Sequence, residues 1–340
     1  MGHLHTSKSQ PILETTQSAK VTRAPISFDS KNISKLLKGV GPYFETVKKL
    51  FTNFSAEQIH SVGRWDFATS NGHNYYMPAM PIGNFGGDKI IYSRPENLTN
   101  GLGLERSQSF ITIRNNQTGQ VMYTLPGTEI AALKTALITT LALENWITRL
   151  NVQEISLGII GGGNVSREHL RASLELFGPR ITDIKIYSPR KSGQGLAKEF
   201  ESEGAEFTNL DDLLSKSNVI ISSTSSQVPI VNEVNLNKKG PVFIAGVGFN
   251  DLDVSILEMA DLIISEDPIG YLKSSLPLKK FLTVGGDQDK ASPVVTLSDL
   301  VQNKPDLTMP TNPSVTLFMP FGTATVDLAV ALSMLSLSNP

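Results

Sequence analysis

The sequence predicts an α/β fold in which a doubly wound parallel sheet is joined to a second, smaller unit. Three observations lead there: a buried strand at 155–160 runs straight into glycines, a helix with apolar residues on one side follows, and strands and helices then alternate to residue 264. Regular alternation of this kind is typical of parallel sheets covered by helices on both faces. At 340 residues the chain is also longer than a single hydrophobic core usually supports, which favours two domains.

The residues before 150 follow a different pattern. Residues 26–28 predict a short strand, and helical spacing over 34–54 is interrupted by glycines and a proline that predict two helices. Short extended runs separated by turn residues follow at 73–79, 89–93, 109–114 and 120–125. A helix over 127–150 is apolar on every side, which predicts burial between domains or at a subunit interface. This part of the chain therefore predicts a mainly antiparallel sheet with its own core.

Beyond residue 150, parallel strands are predicted at 155–160, 183–187, 219–222, 242–245 and 262–264, and helices at 167–177, 195–203 and 210–217. Prolines mark 305–313 as a linker, and an apolar helix over 321–337 can return to the first unit. The prediction divides the chain into a flexible tail at 1–25, a discontinuous α+β domain at 26–134 and 311–340, and a parallel-sheet domain at 135–310.

The glycine loop after the first parallel strand is the main candidate for a binding site. Gly161 can make the tight turn, Gly163 lets a pyrophosphate approach the backbone, and the next helix directs its first N–H groups at that charge. Asn164 and Val165 continue the loop, and Ser166 stands where a third small residue lets helix and strand pack closely. Strand, glycine turn and helix together predict a Rossmann-type dinucleotide site, with a merely structural turn as the alternative.

The choice of nicotinamide cofactor depends on the end of the second parallel strand. An acidic residue there binds the 2′-hydroxyl of NAD, whereas a basic residue accommodates the 2′-phosphate of NADP. The chain has no carboxylate at this point but has Arg190, with Ser188 and Lys191 beside it. A guanidinium forms charge-assisted hydrogen bonds with phosphate, which favours NADP and leaves NAD possible.

Two further loops at the ends of parallel strands are assigned to the cofactor. Ser223, Thr224 and Ser225 form a dense hydroxyl run that could contact the pyrophosphate or the nicotinamide ribose, with a solvated loop as the alternative. Gly248 follows the next strand and is assigned to the same site. The carboxyl ends of strands line the crevice of open α/β sheets, which is where a dinucleotide binds.

Composition narrows the possible classes of function. The net charge of −2 gives no general attraction to nucleic acid or to an anionic membrane, and no apolar run is long enough to span a bilayer. The chain has no cysteine, which excludes disulfides, thiolate metal sites and cysteine nucleophiles, and no other metal-ligand spacing is present. The polar N-terminal residues lack the apolar stretch of a signal peptide, so we expect a cytoplasmic protein without nucleic-acid or membrane partners.

Several motifs occur in an order that is typical of one family. They are Met77-Pro78-Ala79-Met80, Lys89, Gly119 in a hairpin, the glycine loop, and Gly322 followed by Asp327. In these motifs the chain resembles the ornithine cyclodeaminase/mu-crystallin family over roughly residues 27 to 335. The resemblance implies a nicotinamide-dependent protein whose discontinuous α+β domain binds the substrate and forms a homodimer. It also implies hydride transfer at the carbon of a C–N bond next to a carboxylate.

The resemblance assigns the binding of a substrate carboxylate to cations between the two domains. These cations are Arg64, Lys89 and Lys134, and Lys134 stands where an arginine is usual, so that a point charge replaces a planar fork. If burial lowers the pKa of Lys89, its ammonium could also stabilise or protonate the imine nitrogen. Tyr76 and Asp251 are further candidates for proton transfer, although Asp251 could instead cap the helix that starts at 254.

Two departures from the family pattern argue against ornithine cyclisation. The cyclodeaminases have a glutamate just before the Met-Pro motif, where this chain has Tyr75-Tyr76, and an acid after a later strand, where it has Phe249. The gapless run at 244–268 and the triplet Glu105-Arg106-Ser107 resemble more closely the branch that makes 2,3-diaminopropionate. We therefore expect an NAD(P)-dependent oxidoreductase that acts on an amino acid, an N-substituted amino acid or its imine. The alternatives are a non-catalytic NADP(H)-binding protein of the mu-crystallin type and a lyase that recycles its hydride internally.

Overall fold

The computed structural model describes residues 25–60, 63–98, 101, 103–190, 192–233, 236, 240–267, 293–305, 307 and 309–338. Within these residues, one sheet has the strands β1 (Ile26–Ser27), β2 (Trp65–Thr69), β3 (Gly72–Ile82), β4 (Phe85–Ser93), β5 (Ser107–Asn115) and β6 (Val121–Pro126). The other sheet has the strands β7 (Ile155–Ile160), β8 (Ile181–Tyr187), β9 (Ala205–Phe207), β10 (Val219–Ser222), β11 (Val242–Gly246), β12 (Leu262–Ser265), β13 (Val294–Thr296) and β14 (Val315–Met319). The α-helices are α1 (Ser30–Leu36), α2 (Gly41–Asn53), α3 (Ala56–Ile59), α4 (Thr128–Leu150), α5 (Asn164–Phe177), α6 (Ser192–Glu199), α7 (Leu210–Lys216), α8 (Val254–Met259), α9 (Leu297–Val301) and α10 (Ala324–Ser338).

The first sheet has the order β1-β6-β5-β4-β3-β2 and is antiparallel except between β1 and β6. Successive side chains along each strand point to opposite faces of the sheet, and on the inner face Met77, Ala79 and Ile111 are buried against α10. The predicted antiparallel sheet is confirmed. Strand β2 escaped prediction because all five of its residues are exposed, which leaves no alternation of buried and exposed positions to detect.

The second sheet has the order β13-β12-β14-β11-β10-β7-β8-β9, and all its strand pairs are parallel. From β7 the chain crosses to β8 on one side, whereas β10 pairs with β7 on the other side. A crevice therefore opens at the carboxyl ends of β7 and β10, where an open α/β sheet binds its ligand. The doubly wound parallel sheet is confirmed, and β7 and β10 have the predicted bounds.

Two places in the structure correct the predicted division of the chain. Strand β14, which the division assigned to the α+β domain, lies between β11 and β12 in the middle of the parallel sheet. Its five residues are all buried, but they follow the proline-rich linker so closely that the strand was not recognised. Helix α4 runs without a break through residue 134, so the boundary drawn there falls inside one helix.

Helix α4 joins the two units and lies at the centre of the molecule. It packs against α5 on one side and against α2 and α10 on the other. In the described part of the chain it is long and apolar enough to cross a membrane by length and composition, and 78% of its most apolar window is buried inside the protein. This agrees with the predicted burial between domains, and it fixes both sheets on a common support.

Candidate functional site

A cleft of about 910 Å³ lies between the carboxyl edge of the parallel sheet and the inner faces of β3, β4 and α4. The predicted site residues that line it are Arg64, Lys89, Lys134, Gly161, Gly163, Asn164, Val165, Ser188, Arg190, Ser223, Thr224, Ser225 and Gly248. Three others, Tyr76, Ser166 and Asp251, are not part of the lining, and Lys191 is outside the described residues. Two sets of residues that are far apart in the sequence therefore face one space.

The glycine loop has the backbone that its sequence predicts. Gly161 has φ +132°, and a Cβ there would lie 2.5 Å from Ser166 Oγ and 2.7 Å from the Ser223 carbonyl oxygen. Ser166 is buried, and its hydroxyl lies 2.7 Å from that of Ser223, so a small residue is required at 166 for close packing. Gly162 was not singled out from the sequence, yet its Cβ would lie 2.4 Å from the Gly193 nitrogen. The run of three adjacent glycines was the sequence signal that could have identified Gly162.

Gly163 differs from the two glycines before it because it faces open space. It is the N-cap of α5, makes no side-chain cap, and a Cβ built on it has no atom within 4 Å. Asn164 and Val165, which begin the helix, also line the cleft. The first N–H groups of a helix carry partial positive charge and bind phosphate oxygens. The loop thus presents a cradle of donors to the cleft.

The end of β8 divides the predicted cofactor residues into two kinds. Ser188 is buried and its hydroxyl accepts a hydrogen bond of 2.7 Å from the Gly193 amide, so its contact supports the start of α6. Arg190 is exposed at the mouth of the cleft and is free to meet a ligand. Ser188 therefore shapes the loop, whereas Arg190 can bind a phosphate.

Asp251 supports the cofactor side of the cleft from behind. It is fully buried; its Oδ2 accepts hydrogen bonds from Ser222 Oγ and the Thr224 amide, and its Oδ1 accepts one from Thr224 Oγ1. The prediction that Asp251 transfers a proton is corrected, because its oxygens are engaged inside the protein. The predicted cap is wrong as well, since the N-cap of α8 is Asp253, which accepts from the Ser255 amide.

The opposite wall of the cleft carries the predicted cations. Lys89 is 3% exposed, and its Nζ lies 2.7 Å from Asp327 Oδ1. Burial lowers the pKa of the Lys89 ammonium; Asp327 opposes that shift, and Lys134 and Arg64 add to it. The Nζ of Lys134 lies next to Gly322, where an added Cβ would be 2.8 Å from it. In the described part of the chain, neither Lys134 nor Arg64 forms an ion pair, so both can bind an anion. Burial lowers the pKa of Arg64, and Tyr75 and Asp66 oppose that shift.

Tyr76 is corrected as a catalytic candidate because it is on the wrong face of β3. Adjacent residues of a strand point to opposite sides, and Tyr76 stacks on Trp65 with ring centroids 5.4 Å apart. Tyr75 lines the cleft instead, with its ring centroid 4.0 Å from Arg64 Cζ. The apolar residues Met77 and Ala79, which are in phase with Tyr75, were the signal that could have identified it.

His169 links the helix behind the glycine loop to α4. Its Nδ1–H donates to the Val165 carbonyl at 2.8 Å, and its Nε2 lies 3.0 Å from Thr139 Oγ1. Burial lowers the pKa of His169 to about 4. The imidazole is therefore neutral at physiological pH. Protonating it lowers the free energy of unfolding by an amount that can be measured.

We expect the free energy of unfolding to fall as pH drops from 6.5 toward about 4, because there the unfolded chain binds a proton at His169 that the folded chain does not. The loss attributable to this residue is roughly 3 kcal/mol at the lower limit. Denaturant titrations of wild type and His169→Gln across this range measure it as a difference. Equal losses in the two proteins would contradict the assignment.

The ornithine cyclodeaminase/mu-crystallin family model matches residues 34–335. The structure is similar to that of a probable ornithine cyclodeaminase from Bordetella pertussis Tohama I, at 17% identity over 93% of this chain and 97% of that chain, with TM-score 0.76. It is also similar to an archaeal alanine dehydrogenase dimer with bound NAD, at 19% identity over 92% and 96%, with TM-score 0.76.

A third similar structure is the Thermococcus litoralis Δ1-pyrroline-2-carboxylate reductase in complex with NADH and L-proline, at 21% identity over 92% of this chain and 97% of that chain, with TM-score 0.77. At such identities the similarity establishes the fold alone. No protein of curated function matches the chain.

Proposed function

The chain belongs to the ornithine cyclodeaminase/mu-crystallin family, and from that premise we propose that it is an NAD(P)-dependent oxidoreductase acting on the C–N bond of an amino acid, an N-substituted amino acid or its imine. The observation that carries the proposal is one cleft with a phosphate cradle on one wall and buried cations on the other. Its lining has five basic side chains, Arg64, Lys89, Arg106, Lys134 and Arg190, against two carboxylates, Glu105 and Asp327. This excess of positive charge suits a cofactor and a substrate that together carry a pyrophosphate and a carboxylate.

The cofactor side fits a dinucleotide. The open space at Gly163 admits a pyrophosphate to the first amides of α5, and the hydroxyls of Ser223, Thr224 and Ser225 line the same wall. When bound, a nicotinamide supplies or accepts the hydride. The protein then orients the two ligands and stabilises their charges, and each of these roles can be assigned to particular side chains.

On the substrate side, Arg64 and Lys134 would bind the carboxylate because both line the cleft and neither forms an ion pair within the described residues. Lys89 would give a proton to the substrate nitrogen during reduction and take one during oxidation, since burial lowers its pKa toward the range of a useful acid and base. Asp327 Oδ1 holds that ammonium in place, and its Oδ2 has no hydrogen-bond partner among the described residues. This second oxygen can accept an N–H of the substrate.

The proposal is tested by mixing the protein with NADPH or NADH and a panel of cyclic and linear α-imino acids, and in reverse with NADP⁺ or NAD⁺ and amino acids. A change in absorbance of the reduced nicotinamide with at least one substrate is the expected result. Nucleotide binding with no turnover would instead support the mu-crystallin-type alternative. Release of ammonia without net change of cofactor would support the lyase.

A narrower proposal concerns the branch that makes 2,3-diaminopropionate. In its support, Glu105, Arg106 and Ser107 all line the cleft, and Arg106 Nη1 donates to the Ser225 carbonyl at 3.5 Å, which connects this triplet to the cofactor wall. The panel therefore includes 2,3-diaminopropionate together with 2-oxo acids and a reduced cofactor. Absence of cofactor oxidation with this mixture, when other imines react, would contradict the narrower proposal alone.

We expect the enzyme to prefer NADPH, and Arg190→Gln to raise the Kd for NADPH about tenfold while hardly changing that for NADH. The reason is that Arg190 is the described cation at the end of β8, where only NADP carries a phosphate. Fluorescence titration with both nucleotides measures the ratio. An equal loss for the two would show that Arg190 does not contact the 2′-phosphate.

A homodimer is proposed from the outer face of the antiparallel sheet. The pairing places Trp65, Tyr76, Ile90, Phe110 and Pro126 in one row across β2, β3, β4, β5 and β6. Trp65 is 56% exposed and Phe110 is 48% exposed, and apolar surfaces of this kind mark interfaces. Sedimentation equilibrium should give twice the chain mass of 36.9 kDa, and a single-chain mass would contradict this.

A further inference from the structure

Arg64 is surrounded by aromatic rings and has no carboxylate partner. Its Cζ lies 4.0 Å from the ring centroid of Tyr75, 5.6 Å from that of Phe321 and 6.0 Å from that of Phe249. These distances are within the range of cation–π contacts. An arginine keeps its charge at neutral pH, so the rings orient a guanidinium that forms no ion pair within the described residues.

The other charges near this guanidinium are mostly positive. Lys134 and Arg64 both lower the pKa of Lys89, and the nearby Asp327 is already paired with Lys89. Asp66, which raises the pKa of Arg64, is exposed on β2 and faces His73. The remaining carboxylate of the lining, Glu105, is exposed. A ligand group beside Arg64 therefore meets cations and rings, which favour an anion or an apolar group and repel a second ammonium.

We infer that Tyr75, Phe249 and Phe321 are specificity-determining residues, which hold Arg64 for the substrate carboxylate and select an uncharged side chain over one that ends in an ammonium. The inference rests on the proposed function in its broader form, since it concerns the substrate of the same cleft. It is an alternative to the 2,3-diaminopropionate proposal, because that product carries a second ammonium.

L-Norleucine and L-ornithine form a matched pair of probes, because a terminal methyl group in one takes the place of the ammonium in the other. Calorimetric titration of the protein, with and without NADP⁺, should show norleucine binding at least about tenfold more tightly, given like charges a few ångströms apart in a protein site. Phe249→Asp places a carboxylate beside Arg64 and should reverse the preference. Phe249→Leu keeps the wall apolar and should preserve it.

The variants separate this inference from the proposed function. Tyr75→Glu introduces a carboxylate from β3 and should shift the preference toward ornithine as Phe249→Asp does, which protects the test against one variant that fails to fold. Equal or tighter binding of ornithine to wild type, or an unchanged ratio in both acidic variants, would overturn the inference. So would failure of both amino acids to bind. Failure of NADP⁺ and NADPH to bind would count against the proposed function, while the amino-acid ratio would still decide this inference.

Discussion

Lys89→Met is expected to lower kcat for imine reduction by about a thousandfold, while the Kd for the nucleotide changes little. Methionine preserves the length and apolar stem of the side chain but cannot give a proton to the substrate nitrogen. The substitution also leaves Asp327 as a buried carboxylate without its partner, which costs about 3–5 kcal/mol of stability. Activity is therefore compared between Asp327→Asn and the double variant Lys89→Met/Asp327→Asn, in which no charge is orphaned. Equal activity of these two proteins would remove Lys89 from the reaction.

The pH profile gives an independent check on the same residue. Burial lowers the pKa of Lys89 from 10.5, so the rate of reduction should fall as pH rises through that lowered pKa, because the acid is then deprotonated. The reverse oxidation needs the neutral amine and should rise over the same interval. Asp327 opposes the shift, so in Asp327→Asn the fall should move to lower pH. A shift to higher pH would contradict the proposed pairing.

The cofactor side could be predicted from the sequence because its signals are local. Gly161, Gly163 and Ser166 lie within six consecutive positions, and the tight turn, the open approach and the close packing depend on those positions and the strand before them. Parallel strands buried on both faces also appear as short apolar runs, which is why β7 and β10 were predicted with their observed bounds. Strand β9, with three residues and mixed burial, gave no such run.

The substrate side could be predicted only in part, because its contacts join residues that are distant in the sequence. Lys89 and Asp327 are 238 positions apart, and nothing near either residue indicates that they form a pair. The choice between Tyr75 and Tyr76 depends on the register of β3 with its neighbours. Phe249 and Phe321 follow β11 and β14, and their meeting at Arg64 depends on the position of β14 in the sheet. Family resemblance supplied the cations but not the rings around them.

Gly163→Val is expected to raise the Kd for the nucleotide at least about a hundredfold with only a small fall in the unfolding temperature, because valine is a poorer N-cap for α5 than glycine. Gly163 has φ −92° and ψ −173°, an extended conformation that valine prefers, and its Cβ position is free of protein atoms. The added methyl groups would occupy the space through which a pyrophosphate reaches the amides of α5, and each lost charge-assisted hydrogen bond costs roughly 1.5–3 kcal/mol.

The matched control is Gly161→Ala, where φ is +132° and the new methyl would meet Ser166 Oγ and the Ser223 carbonyl. That variant should lose both stability and nucleotide binding, because the strain lies in the fold itself. Thermal unfolding followed by circular dichroism and fluorescence titration of the nucleotide therefore distinguish the two positions. Gly163 leaves room for a ligand, whereas Gly161 leaves room that the fold itself requires. If Gly163→Val binds the nucleotide as tightly as wild type, the loop is a structural turn and the cofactor must bind elsewhere. If it binds no nucleotide yet unfolds only slightly below the wild-type temperature, the open side of Gly163 is the phosphate site on which the proposed reaction depends.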